Sequence, residues 1–161
     1  MTLKEWKKVV ATPVAELLKK HEFRKNGPRF AADRGDAKLL VEFQSSQMSD
    51  KNRLIITVNL KIFLVQLDRD PDFFPGNGHW QKRIGSFLTP ATDYWWTCQN
   101  DEDATRAGKA IATILEMSAL PEMEHLASAR AMVNLWMSGR SPGLTQMQRD
   151  KYLAKLTGQP T

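Results

Sequence analysis

The sequence predicts an α+β domain: an N-terminal helix, an antiparallel meander of three to five strands, and C-terminal helices packed on one face of that sheet. Three observations predict it. Apolar residues recur at helical spacing from Leu3 to Leu18. Apolar and polar residues then alternate over 38–46 and 53–65. Helical spacing returns after Asn100. With 161 residues, 42% of them apolar and 25% charged, the chain is expected to fold as a single domain, 1–161, with a core of its own.

Thr2 and Glu5 form a capping-box pattern, which starts the first helix at the chain's beginning. Leu3, Trp6, Val9, Val10, Val14, Leu17 and Leu18 share one of its faces. Pro13 lacks an N–H and crowds the carbonyl of Val9, so a kink is expected there, or a restart capped by Thr12. Asn26-Gly27-Pro28 closes this unit. Arg29 to Ala32 reads as a short strand, and Asp33-Arg34-Gly35-Asp36 as a hairpin turn.

The next two strands carry the argument. Leu39, Val41 and Phe43 alternate with Glu42, Gln44 and Ser46. Ile56, Val58 and Leu60 alternate with Thr57, Asn59 and Lys61. Pairing the two strands with their apolar sides together forces the polar sets together as well. One face is then oily, and the other carries Glu42, Gln44, Thr57 and Asn59 with Lys61 near its end. Asp68, Asp70 and Asp72 imitate the start of an EF-hand loop. Phe73 stands where that loop needs Gly, and His79 where it needs Glu, so Phe73 and Phe74 are read as loop anchors. Asn100 caps a helix with an acidic first turn, and Pro121 is expected to break it. A second helical stretch runs from Met123 through Trp136 to Gly139. Thr145 and Gln148 cap the last helix.

Several function classes find no support. Cys98 is the one cysteine, which excludes an internal disulfide and a cysteine-based zinc site; it is read as a buried apolar residue. No phosphate loop, dinucleotide fingerprint, nucleophile elbow or paired-histidine metal motif occurs, so neither cofactor nor metal is expected. No apolar run reaches the ~18–20 residues of a membrane span, and 1–8 is charged, so a cytoplasmic protein is expected. The net charge is +5, all of it from residues 1–38, where ten basic side chains meet five acidic ones. That excess is compatible with an anionic partner such as nucleic acid; its plainer reading is a solvated lysine-rich helix face.

The candidate residues fall in two groups. His79, Trp80, Arg83, Asp93, Trp95 and Trp96 form the densest aromatic region. His79 and Arg83 are four apart, so on a helix they share a face. Arg83 suits a carboxylate or phosphate, or simply pairs with Asp93. The tryptophans suit a ring or a cation, although two in succession along a strand face opposite ways. Gln44 and Asn59 offer amides from a rigid sheet.

These pieces together are familiar. Leu17-Leu18-Lys19-Lys20 with Phe23-Arg24-Lys25-Asn26-Gly27 and Phe30 comes first. Val41-Glu42-Phe43-Gln44-Ser45-Ser46 and Thr57-Val58-Asn59-Leu60 follow. His79-Trp80, Arg83-Ile84-Gly85, Leu88, Pro90 and Asp93-Tyr94-Trp95-Trp96 come next, and Leu120-Pro121 closes the series. The chain resembles the bacterial family called domain of unknown function 4304. That resemblance implies a cytosolic α+β domain and transfers no activity. This chain carries Glu22 where the family usually shows Gly, so a differently built turn is expected there.

The reading that results is a non-catalytic binding module, antitoxin- or immunity-like, that meets a protein partner through the polar sheet face and the tryptophan-rich segment. Two alternatives stand beside it. One is a small-molecule sensor or enzyme using Arg83, His79 and Gln44. The other is nucleic-acid binding through the basic N-terminal third.

Overall fold

The structure, a computed structural model, describes residues 1–67 and 78–158. The aspartates Asp68, Asp70 and Asp72 and the anchors Phe73 and Phe74 lie outside the described residues.

Helix α1 spans Leu3–Lys20 and opens on the expected capping box: the Glu5 N–H donates to Thr2 Oγ1 at 3.2 Å, and the Thr2 N–H donates to the Glu5 carboxylate at 3.0 Å. No restart occurs at Pro13. The helix runs through it, and Thr12 lies inside, its hydroxyl donating to the Lys8 carbonyl at 2.8 Å. Packing explains this correction. Helix α2 (Asp101–Ile114) crosses α1 at Gly108, where an added Cβ would stand 2.6 Å from the Val10 carbonyl oxygen and 2.9 Å from Pro13 Cγ. The proline ring is part of a tight helix crossing, which compensates for the missing N–H.

The end of α1 follows a Schellman pattern. The Phe23 N–H donates to the Leu18 carbonyl and the Glu22 N–H to that of Lys19. This puts Glu22 at φ +65°, the conformation that glycine adopts most easily. Glu22 takes up the left-handed turn itself.

The sheet is antiparallel, as expected, with six strands among the described residues, one beyond the upper count. Strands β1 (Arg24–Asn26), β2 (Arg29–Asp33), β3 (Ala37–Ser45), β4 (Leu54–Leu64) and β5 (Trp80–Arg83) are neighbours in that order. Strand β6 (Trp96–Cys98) pairs with β4 alongside Leu54, Ile55 and Ile56. Register bears out the parity argument. Val41 faces Leu60 and Phe43 faces Val58, while Glu42 faces Asn59 and Gln44 faces Thr57. Leu39, Val41, Ile56, Val58, Leu60 and Ile62 are all buried. At roughly 1.5–3 kcal/mol per buried aliphatic side chain, slipping this register by one residue would forfeit several such contributions at once.

Helices α1 and α2 cover the oily face with Val10, Val14, Leu18, Ala107 and Ile111. Pro121 does not break the chain's helical course. A π-helical turn over Leu115–Ala119, with the Leu120 N–H reaching back to the Leu115 carbonyl, widens the helix just before it. Helix α3 (Leu120–His125) then begins with Pro121 in its first turn, directly after the widened turn. The next helical stretch is also divided. Ser128 caps a fresh helix, α4 (Ala129–Met137), by accepting from the Ala131 N–H. Helix α5 (Gln146–Thr157) starts on the expected Thr145–Gln148 box. Its Tyr152 packs edge-on to His79 at 5.1 Å, over one end of the sheet's second face.

Candidate functional site

His79 to Arg83 is not helical. Trp80–Arg83 is strand β5, whose pairing sets Arg83 opposite Asn59, Lys82 opposite Leu60 and Trp80 opposite Ile62. Pleat alternation then sends Trp80 to the oily face and Arg83 to the polar one. Trp80 is a core residue, fully buried. His79 is buried too; its Nδ1 accepts from the Leu64 N–H at 2.9 Å, and its ring lies against Phe63 and Tyr152. His79 and Arg83 share a face through the strand period, not the helical one. About 13 Å of strand separates them, so they do not meet at one ligand atom.

On the polar face, one cross-strand row runs through four strands. Arg29 faces Glu42, Glu42 faces Asn59, and Asn59 faces Arg83. Glu42 is held from both sides, by Arg29 and, at 3.8 Å, by Lys61. Asn59 Nδ2 donates to Gln44 Oε1 at 2.7 Å, and Asn59 Oδ1 accepts from Arg83 Nε at 3.2 Å. Those two bonds fix which way the amide points.

Arg83 is the best-anchored member of this row. Its Nη1 donates to both Asp93 carboxylate oxygens, at 2.9 and 3.1 Å, and its guanidinium lies 5.0 Å from the centre of the Trp95 ring. Among the described residues, Nη2 has one contact, to Gln44 Oε1 at the long distance of 3.5 Å. The Arg83 side chain keeps 33% exposure and that of Asp93 59%, so the pair is not enclosed. Two shallow depressions flank Arg83, of about 350 Å³ towards Thr92 and about 370 Å³ towards Lys61.

The Asp93–Trp95 segment is positioned by two features that the sequence reading passed over. Thr57 is wholly buried on the otherwise polar face, and its hydroxyl donates to the Tyr94 carbonyl at 2.8 Å. Gly85 lets the loop return: an added Cβ would sit 2.0 Å from the Thr92 carbonyl oxygen. The Thr92 N–H donates to the Gly85 carbonyl. Tyr94 remains exposed and stacks edge-on to Trp96 at 4.8 Å. Trp96 pairs with Ile56 and packs against the core. The structure thus brings Gln44, Asn59, Arg83, Asp93 and Trp95 together, and sends His79, Trp80 and Trp96 into packing. Arg29 belongs to the row and was not singled out; its signal was the hairpin register that sets it opposite Glu42.

Comparison with known proteins bears on this arrangement. The family model for the domain of unknown function DUF4304 matches residues 14–125. The chain belongs to this family. No match was found among curated proteins or among solved structures. The DUF4304 match takes in the whole sheet, the polar row and the loop bearing Asp93 and Trp95, and it stops at the end of α3. Helices α4 and α5 lie beyond it. Among the described residues of this DUF4304 chain, no helix is long and apolar enough to cross a membrane.

Proposed function

We propose that this DUF4304 chain is a non-catalytic binding module, antitoxin- or immunity-like, whose protein partner docks on the polar sheet face around Arg83. One observation carries the reading: Arg83 is held on three sides by Asn59, Asp93 and Trp95, its side chain keeps 33% exposure, and Nη2 has only the long contact to Gln44 among the described residues. A side chain already fixed in place loses little entropy on association. Nη2 is a donor suited to a carbonyl or carboxylate of the partner, and Trp95 supplies flat aromatic area beside it. Arginine, tyrosine and tryptophan are the side chains on which interface energy concentrates. The two depressions beside Arg83, of about 350 and 370 Å³, lie at the low end of the ~300–1,000 Å³ of small-ligand sites, which favours a broad contact surface.

The test uses immobilised protein and extract from the native host. A partner retained by the wild type should be lost with Arg83→Ala or Trp95→Ala and kept with Lys109→Ala, an exposed residue of α2. If no host protein depends on Arg83, and a host metabolite raises the melting temperature instead, the proposal fails.

A further inference from the structure

A second concavity lies on the opposite side of the sheet from Arg83. It is a cleft of about 890 Å³ between α1 and the ends of β2, β3 and β4. Its floor is oily, made by Phe30, Phe43 and Ile56 of the sheet. Its helical wall is low, because α1 presents Ala11 and Ala15 there, one turn apart. Lys4, Lys7 and Lys8 continue that wall, and Lys25 stands across from it. All four lysines are exposed, and none forms an ion pair with a carboxylate among the described residues. Glu16 is the one acidic side chain in the lining.

We propose that this cleft binds an anionic amphiphile: an unbranched apolar chain with a carboxylate head, the chain on Phe30, Phe43 and Ile56 and the head among the lysines. Two arguments select this class. Charge and greasiness sit in one cavity, so a purely polar anion would leave the floor wet and a neutral hydrocarbon would leave the lysines unmatched. Size agrees with a small ligand: at about 890 Å³ the cleft falls within the ~300–1,000 Å³ typical of small-ligand sites.

Dodecanoate, kept below its micellar concentration, is the probe, with octanoate, dodecanol and acetate beside it in titration calorimetry. Dodecanoate should bind, and octanoate should bind roughly a hundredfold more weakly for its four missing methylenes. Acetate should not bind measurably. Lys4→Gln/Lys7→Gln/Lys8→Gln, all at exposed positions, should weaken dodecanoate about tenfold and leave dodecanol unchanged. Ala11→Phe should abolish binding of both by filling the cleft. Should that variant fail to fold, the chain-length series and the lysine variant still decide. No binding of dodecanoate, affinity independent of chain length, or indifference to the lysines each overturns the proposal. So does an oligonucleotide that binds these lysines while dodecanoate does not.

Discussion

Asn59 and Arg83 face each other across β4 and β5, and the amide between them works at both ends: Oδ1 accepts from Arg83 Nε while Nδ2 donates to Gln44. The polar row is therefore a connected structure and not a set of separate surface side chains. Removing one member should loosen the next. A double-mutant cycle of Asn59→Ala and Arg83→Ala in urea should give a coupling of about 0.5–1.5 kcal/mol. Additive effects would show that the two residues act separately. Arg83→Lys should not restore the coupling, since an ammonium reproduces neither the planar fork nor the stacking on Trp95.

Gly85 sets the position of the loop that carries Asp93 and Trp95. A Cβ there meets backbone, the Thr92 carbonyl oxygen at 2.0 Å and the Tyr94 nitrogen at 2.7 Å, so no side-chain rotation relieves it. Gly85→Ala should cost about 1–3 kcal/mol by overpacking and should alter the Trp95 part of the emission, taken as the difference from a Trp95→Phe protein. A melting temperature and spectrum like the wild type's would show that the loop is not held there.

Glu22 occupies a left-handed turn that disfavours side chains with a Cβ. Glu22→Gly should stabilise the fold by about 0.5–1 kcal/mol in urea, the lost attraction to Arg34 subtracting a little. Destabilisation would mean that the charge matters more than the backbone.

Cys98 is buried at the end of β6, and burial first, then the negative charge of Asp103, pushes its thiol from 9.0 up to about 11. The folded protein keeps this proton after the unfolded chain has released it. Stability from this group is whole below pH 9.0, falls as the pH rises, and is gone above about 11. Urea midpoints measured across that window should decline more steeply for the wild type than for Cys98→Ala. Equal slopes would contradict the assignment.

How much of this could be read in advance depended on pattern length. Nine and eleven alternating residues in β3 and β4 left one consistent pairing, and with it the shared face of Gln44 and Asn59. Strand β5 has four residues, two of them charged, and a four-residue spacing fits a strand as well as a helix, so the spacing of His79 and Arg83 does not by itself tell which element carries them. Strand β1 is three exposed polar residues with no periodicity to find. The lysines of α1 were visible as a charge excess. The cleft beside them was not, because Phe30, Phe43 and Ile56 reach it from three different strands.

The two-sidedness of the β3–β4 pair supports every later step, and thiol accessibility tests it directly. In a Cys98→Ala background, Gln44→Cys should react with an aromatic disulfide reagent at close to the rate of a free thiol. Val58→Cys should stay protected until the protein unfolds. Equal, rapid reaction at both positions, or protection of Gln44→Cys with reaction of Val58→Cys, would contradict the arrangement.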